Sequence, residues 1–228
     1  MNTLCIDIGG SGIKAITLDA RGQVVHDRVR IETPHPATPA ACLAVIEQLA
    51  SAQGKFGRVS IGFPGVVVDG VTRSAPNLHE EWAGFELAAE VGKRLGKPVR
   101  AANDAGVQGL GVIEGKGVEA VITLGTGMGF GLYVDGRYVP NIELAHHPFR
   151  NRKTYEERVG NAALLRIGEQ RWAGRVMKVV EQLAPIINYR KLYLGGGNSR
   201  LLDPAKLPEN VVIVDNVAGL LGGLRLWG

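Results

Sequence analysis

The chain has 228 residues, 45% hydrophobic and 21% charged, the composition of a globular protein long enough to bury one sizeable core or two small ones. Its net charge of +4 mildly favours an anionic ligand but is too small to single out a partner, and no apolar run approaches the roughly 20 residues of a membrane span. Two cysteines, Cys5 and Cys42, form no metal or redox spacing, and Met1 leads almost at once into a strand without a cleavable leader, so a cytoplasmic protein is expected.

Residues 3 to 8, 13 to 19 and 23 to 31 read as a β-meander, turned by Asp19-Ala20-Arg21-Gly22. Thr38 as N-cap, Pro39 at the first helical position and Leu43, Ile46 and Leu49 at helical spacing predict a helix from about 39 to 52, with Gly54 beyond its end. "RVSIGFPGVV" is a strand running into a glycine-proline loop, "EWAGFELAAEVGKRLG" a helix, and "KPVRAAND" a strand ending in polar residues.

The second half repeats the opening. "EAVITLGTGMGFGLYVDGRYV" is again strand, glycine loop, strand, Asp-Gly turn, strand, and an offset of 116 places Asp7 on Thr123, Gly9 on Gly125 and Asp19 on Asp135. A polar, basic loop at 146 to 153 precedes a helix near 155 to 168 and another at 171 to 187, whose Trp172, Val176, Val179, Leu183 and Ile186 share a face. "KLYLGGGNSRLL" is a strand that breaks into glycines; "NVVIVD" and "NVAGLLGGLRLW" give a last strand and a closing helix. No low-complexity linker separates the halves, which are expected to meet across a cleft.

Gly10 to Ala15 fits the permissive GxGxxA dinucleotide pattern, but that motif must open a helix, and here "IKAITLD" is β-branched and runs into a hairpin turn. No Gly-Lys-[Ser/Thr] completes a P-loop either. What remains is a glycine hairpin whose N–H groups can surround a phosphate oxygen, with Ser11 and Lys14 adding a hydroxyl and a charge. One such loop is equally a tight turn with glycines at positive φ; the second copy, "GTGMGFG", with Thr126 among its glycines, favours the phosphate reading. Asn103-Asp104, taken alone, is an N-cap pair at a strand-to-helix junction.

The segments "DIGGSGIK", "GFPGVV", "AAND", "TLGTGMG", "DGRYVPNIELAHH", "TYEERVGNAAL" and "LYLGGGN" together resemble the ROK (repressor, open reading frame, kinase) family, and within it the polyphosphate glucokinases. The resemblance implies an α/β protein with the duplicated ribonuclease H-like fold of actin-like ATPases: two lobes around a cleft, a small N-terminal lobe of 1–102 joined by a C-terminal helix at about 216–228, and a large lobe of 103–215. It implies transfer of a phosphoryl group from polyphosphate or ATP to the 6-hydroxyl of glucose. Asp104 would then be the catalytic base. Asp7 would hold Mg2+ through water, and Gly9, Gly10, Ser11, Gly12, Lys14, Gly125, Thr126 and Gly127 would bind donor phosphates. Gly195, Gly196 and Gly197 would let a nucleotide approach the backbone. Gly65, Asn77, Asn103, Asp104, Glu143, His146 and Glu156, chosen over Glu157 on register, would contact the sugar. A homodimer is implied, with no nucleic-acid or membrane partner.

Three features depart from the family pattern. "HHPFRNRKTYEE" contains no cysteine where many relatives build a zinc site, so no zinc is expected. Glu143-Leu144-Ala145-His146 replaces Glu-x-Gly-His, and the Ala145 methyl bears on which hexose fits. Phe130 is bulkier than the residue expected in the second phosphate loop. His147, Arg150, Arg152 and Lys153 form a basic run that either lies solvated or attracts a polyanionic donor. The rival readings are a kinase for another hexose, a non-catalytic sugar-binding relative, a superfamily phosphohydrolase, and a sugar-responsive regulator, whose DNA-binding segment would precede the first phosphate loop.

Overall fold

A computed structural model of the chain describes residues 1–76, 78–214 and 221–228. It divides into two compact units: Met1–Gly111 with Val217–Gly228, and Val112–Asn216. The expected boundary at 102/103 would have separated Asp104 from the first unit, whereas the helix that begins there belongs to it.

Unit 1 opens with β1 (Thr3–Ile8), β2 (Ile13–Leu18) and β3 (Val24–Ile31), the predicted meander, followed by α1 (Pro39–Ala52). Thr38 caps α1 by accepting the Ala41 N–H at 3.3 Å, and Pro39 occupies the first turn, where its missing N–H costs nothing. Next come β4 (Arg58–Phe63), a small hairpin of β5 (Val67–Val68) and β6 (Val71–Thr72), α2 (Leu87–Leu95), β7 (Val99–Asn103) and α3 (Asp104–Leu110). The predicted helix from residue 81 starts later, because Gly84 takes φ +80° and separates a short turn at 80–82 from α2. The sheet order is β3-β2-β1-β4-β7, antiparallel across the meander and parallel from β1 to β7. β1 and β4 are buried on both faces; β3 is an edge strand and carries exposed, charged residues that discourage further pairing.

Unit 2 repeats the order. β8 (Val118–Leu124), β9 (Met128–Val134) and β10 (Arg137–Val139) form the meander, and β11 (Pro148–Arg150) with β12 (Lys153–Thr154) a hairpin. α4 (Tyr155–Val159), α5 (Asn161–Ile167) and α6 (Glu169–Ile187) lead to β13 (Lys191–Gly195) and β14 (Val211–Ile213). Its sheet runs β10-β9-β8-β13-β14, the same antiparallel-then-parallel order as unit 1. The internal duplication read from the 116-residue offset is thus present in the topology.

The offset holds for the first strand of each hairpin and slips in the second. Ile8 pairs with Ile13 across a four-residue loop, but Leu124 pairs with Met128 across three, so β9 sits one residue nearer its loop than the offset assumes. The "basic loop" at 146 to 153 is largely β11–β12, turned by Asn151 and Arg152 at φ 54° and 57°, both positive as a type I′ turn requires. The helix expected over 155 to 168 is broken at Gly160 (ψ 168°) into α4 and α5. On α6, Trp172, Val176, Val179 and Leu183 are buried as expected, but Ile186, in the last turn after Pro185, is 71% exposed because the helix outruns the core.

The closing segment is described from residue 221, with α7 at Gly222–Arg225, and its start at 215–220 lies outside the described residues. Ser60 Oγ donates to Gly223 O at 2.6 Å and accepts from Trp227 Nε1 at 2.8 Å, while the Arg58 and Arg100 guanidiniums lie 5.0 and 4.7 Å from the Trp227 ring centroid. These contacts fasten the C-terminal residues to unit 1.

Candidate active site

Unit 1 brings two of the predicted acids to the carboxyl end of its parallel strands. Asp7, next to last in β1, pairs with Gly62 of β4 and Lys14 of β2. Lys14 Nζ stands 3.0 Å from Asp7 Oδ2, and the Asp7 side chain is 17% exposed, so the acid in the apolar strand has a built-in counter-ion. Asp104 opens α3 one residue past β7. A methyl group placed on Gly62 would lie 3.3 Å from Asp104 Cα and 3.6 Å from Asp7 Oδ1, so the missing side chain is what lets the two acids flank one strand position. Gly62 was not among the sequence candidates; an isolated glycine inside a strand was the available signal.

Asn103 is the cap of α3, accepting the Gly106 N–H at 3.1 Å, and its Nδ2 donates to Gly65 O at 3.2 Å. Cap and loop contact are therefore made by one amide, and two predicted sugar-side residues meet. Asp104 Oδ1 accepts the Ala105 N–H at 2.7 Å. Asn77, the third sugar-side candidate on this unit, lies outside the described residues.

The first glycine loop spans Gly9 to Gly12. Gly9 N–H donates to Gly12 O at 3.1 Å, and Thr33 Oγ1 donates to Gly9 O. Neither Gly9 nor Gly12 lies in the left-handed region, so positive φ does not explain these glycines. Gly12 has a different cause: its Cβ would occupy the space of the Arg30 guanidinium, which lies over the loop and donates from Nη2 to Ser11 O at 2.6 Å. Arg30 faces Lys14 across β2 and β3, so Asp7, Lys14 and Arg30 form a lateral row. Sequence reasoning missed Arg30 because nothing local marks it; only the register of the edge strand brings it to the loop.

In unit 2 the predicted phosphate and sugar residues are physically tied. Gly125 N–H donates to Gly127 O at 3.1 Å, closing the second loop, and Thr126 is exposed at its tip. Glu156 Oε2 accepts the Met128 N–H at 3.2 Å and fills the space a side chain on Gly127 would need. Its neighbour Glu157 is spent on the capping box of α4 with Thr154 and on Lys153 at 3.6 Å. The break at Gly160 turns the next N–H inward: Asn161 N–H bonds both Gly125 O and Thr126 O at 3.1 Å. Glu143 and His146 sit three residues apart, Oε2 to Nε2 3.7 Å, both partly exposed.

The third glycine run docks on the second loop. Gly196 has φ +87°, and a Cβ there would run into the Leu124 backbone. Asn198 N–H donates to Leu124 O at 3.0 Å, and its Nδ2 reaches Gly125 O and Asn161 Oδ1 at 3.3 Å. Gly195 ends β13, and nothing lies within 4 Å of a Cβ built on Gly197. Two of the departures flagged in the sequence, Phe130 and Ala145, are buried in the core of unit 2.

Mg2+ keeps most of its waters and takes one or two carboxylates plus phosphate oxygens. Asp7, a single carboxylate beside Gly62, fits that donor set, and among the described residues no cluster of three metal-ligating side chains exists. No helix is long and apolar enough to cross a membrane among the described residues.

Residues 3–140 match the ROK family profile. The chain is 32% identical over 233 residues to the polyphosphate glucokinase of Mycobacterium tuberculosis, covering 95% of this chain and 88% of that protein. An inorganic polyphosphate/ATP-glucomannokinase from Arthrobacter sp. strain KM superposes with a TM-score of 0.86 at 29% identity, over 100% of this chain and 99% of that one. A glucokinase from Streptomyces griseus, solved with glucose and AMPPNP, shares the fold at a TM-score of 0.81 and 21% identity, over 99% of each chain.

Proposed function

The chain belongs to the ROK family, and from that premise we propose that it is a sugar kinase that transfers the terminal phosphoryl group of inorganic polyphosphate or ATP to the 6-hydroxyl of glucose. The observation that carries this reading is the placement of Asp7 and Asp104 on either side of Gly62, with Lys14 on Asp7.

The pairing divides the work of the two acids. Asp7 already carries a cationic partner, Lys14, at the carboxyl end of β1. Asp104, held at the start of α3 by its own turn, is suited to accept the proton of the attacking hydroxyl, a contribution of about 10²–10⁴-fold. Bound Mg2+ would neutralise charge on the transferred group, with Asp7 as the residue to hold it. The loops around Gly9–Gly12 and Gly125–Gly127 offer backbone N–H groups, and Arg30 a guanidinium fork, to the phosphates.

Glu143, His146 and Glu156 are proposed to bond the sugar hydroxyls, a residue set that penalises analogues lacking a hydroxyl. Glu156 also holds the Met128 N–H, which would link sugar contact to the shape of the second phosphate loop. Mannose is the second acceptor to test, since the Arthrobacter relative is described as a glucomannokinase. The test is an assay of purified protein with Mg2+, each hexose, and ATP or polyphosphate supplied separately. Glucose 6-phosphate is expected; no hexose phosphate from any pair would overturn the reading.

A further inference from the structure

Away from the residues described above, unit 2 carries three arginines that no acid answers. Arg158 lies on α4, Arg166 near the end of α5 and Arg175 on α6. Backbone carbonyls hold two of them: Arg175 Nη1 donates to Arg158 O at 3.4 Å, and Arg158 Nη2 to Arg150 O at 3.1 Å. Among the described residues, no carboxylate lies within ion-pair distance of any of the three, and the nearest acid in sequence, Glu157, is engaged by Thr154 and Lys153. Arg158 Nε is buried and bonds nothing, an omission that native proteins seldom leave on a charged group. Burial, followed by the charges of Arg158 and Arg166, draws Arg175 below the usual arginine range, so Arg175 lies within the field of both.

An anion would relieve the repulsion of Arg175 by Arg158 and Arg166, and the planar fork of arginine matches phosphate oxygens. The nearby aromatic rings, Tyr155 and Trp172, are buried in the core, so nucleic-acid bases would find no stacking platform. An unbranched phosphate chain needs none. Resting on the polyphosphate reading of the donor, we propose that Arg158, Arg166 and Arg175 form a second site for inorganic polyphosphate, which holds a stretch of the chain remote from its reacting end.

The test uses the whole protein and the double variant Arg166→Gln/Arg175→Gln, neither residue being assigned to the chemistry. Labelled long-chain polyphosphate is titrated by fluorescence anisotropy in magnesium-free buffer at several salt concentrations, and KM is measured for long-chain polyphosphate, tripolyphosphate and ATP. The site predicts a roughly tenfold rise in Kd and KM for the long chain. It also predicts a flatter salt dependence and ATP kinetics unchanged within about twofold. Arg166→Lys/Arg175→Lys, which keeps the charge, is expected to recover part of the binding and guards against a misfolded variant. Unchanged long-chain Kd would overturn the proposal, as would displacement by single-stranded DNA of equal charge as effective as by polyphosphate itself. If the wild type turns over ATP alone yet binds the long chain through these arginines, the site stands and the donor assignment falls.

Discussion

Asp104 and the glycine beside it set the most local expectations. Asp104→Asn keeps the side-chain oxygen that accepts the Ala105 N–H but removes the base, so turnover is expected to fall by about 10²–10⁴-fold while hexose binding by calorimetry persists. Gly62→Ala puts a methyl 3.3 Å from Asp104 Cα. A displacement of tenths of an ångström should lower kcat by about tenfold with a nearly native melting curve. Arg30→Gln is expected to raise the donor KM by about tenfold and leave the hexose KM alone. Gly12→Ala should imitate it, because its methyl takes the place of a flexible guanidinium. An unchanged donor KM in both would remove Arg30 from the phosphate site. Gly196→Ala belongs to another class: its methyl meets the Leu124 backbone at positive φ, so it should destabilise unit 2 by about 2 kcal/mol or more.

At the scale of elements, a buried acid outside the site fixes the start of β8. Glu119 is fully buried, and its carboxylate accepts the N–H groups of Glu114, Gly115 and Lys116, the Tyr193 hydroxyl at 2.6 Å and Arg190 Nη2 at 3.1 Å. Burial alone would push its carboxyl up, but the hydrogen bonds, that of Tyr193 foremost, outweigh it and hold the carboxyl below the ordinary range. A carboxyl depressed in the fold stabilises it above the unfolded value, about 4.3, and loses that contribution as the pH falls through the lower folded value. Glu119→Ala should therefore cost about 3 kcal/mol near neutral pH and flatten the acid limb of a pH–stability curve. A variant with the wild-type acid limb would show that the network is not what titrates.

The distant half of this network was invisible in the sequence, as was Arg30: Tyr193 and Arg190 reach Glu119 from more than 70 residues away and Arg30 reaches Ser11 from β3, and nothing local brings them together. Local chemistry was legible where it acts alone. The Thr38–Pro39 cap, the two meanders and the glycine hairpins were read from spacing. The errors fell where one glycine redirects the chain: Gly84 delays α2 and Gly160 splits α4 from α5. The Gly160 break mattered most, since it turns the Asn161 N–H onto the second loop. Phe130 and Ala145, flagged for their bulk in the loop and sugar motifs, are both buried in the core of unit 2.

For the whole molecule, the repeated strand order has a chemical asymmetry. Asp7 stands opposite Lys14 in unit 1, whereas the equivalent β8 position is Thr123, paired with Gly129. The duplicated hairpins share a frame, but one carries the acid–cation pair and the other carries Glu156 against its glycine loop. A net charge of +4, with Arg30 on unit 1 and the arginine cluster on unit 2, makes an anionic donor the ligand whose affinity should fall most with salt. Raising ionic strength is expected to increase the KM for polyphosphate more steeply than that for ATP, and the KM for hexose hardly at all. Equal salt dependence for donor and hexose would count against the charge assignment.

The most direct measurement of the central claim is hexose 6-phosphate formation by the wild type and by Asp104→Asn, with glucose, Mg2+ and polyphosphate or ATP. Glucose 6-phosphate from the wild type, lost by about 10²-fold or more in the variant, is the predicted result. Wild-type turnover in Asp104→Asn, or no product from either protein with any donor, would contradict it.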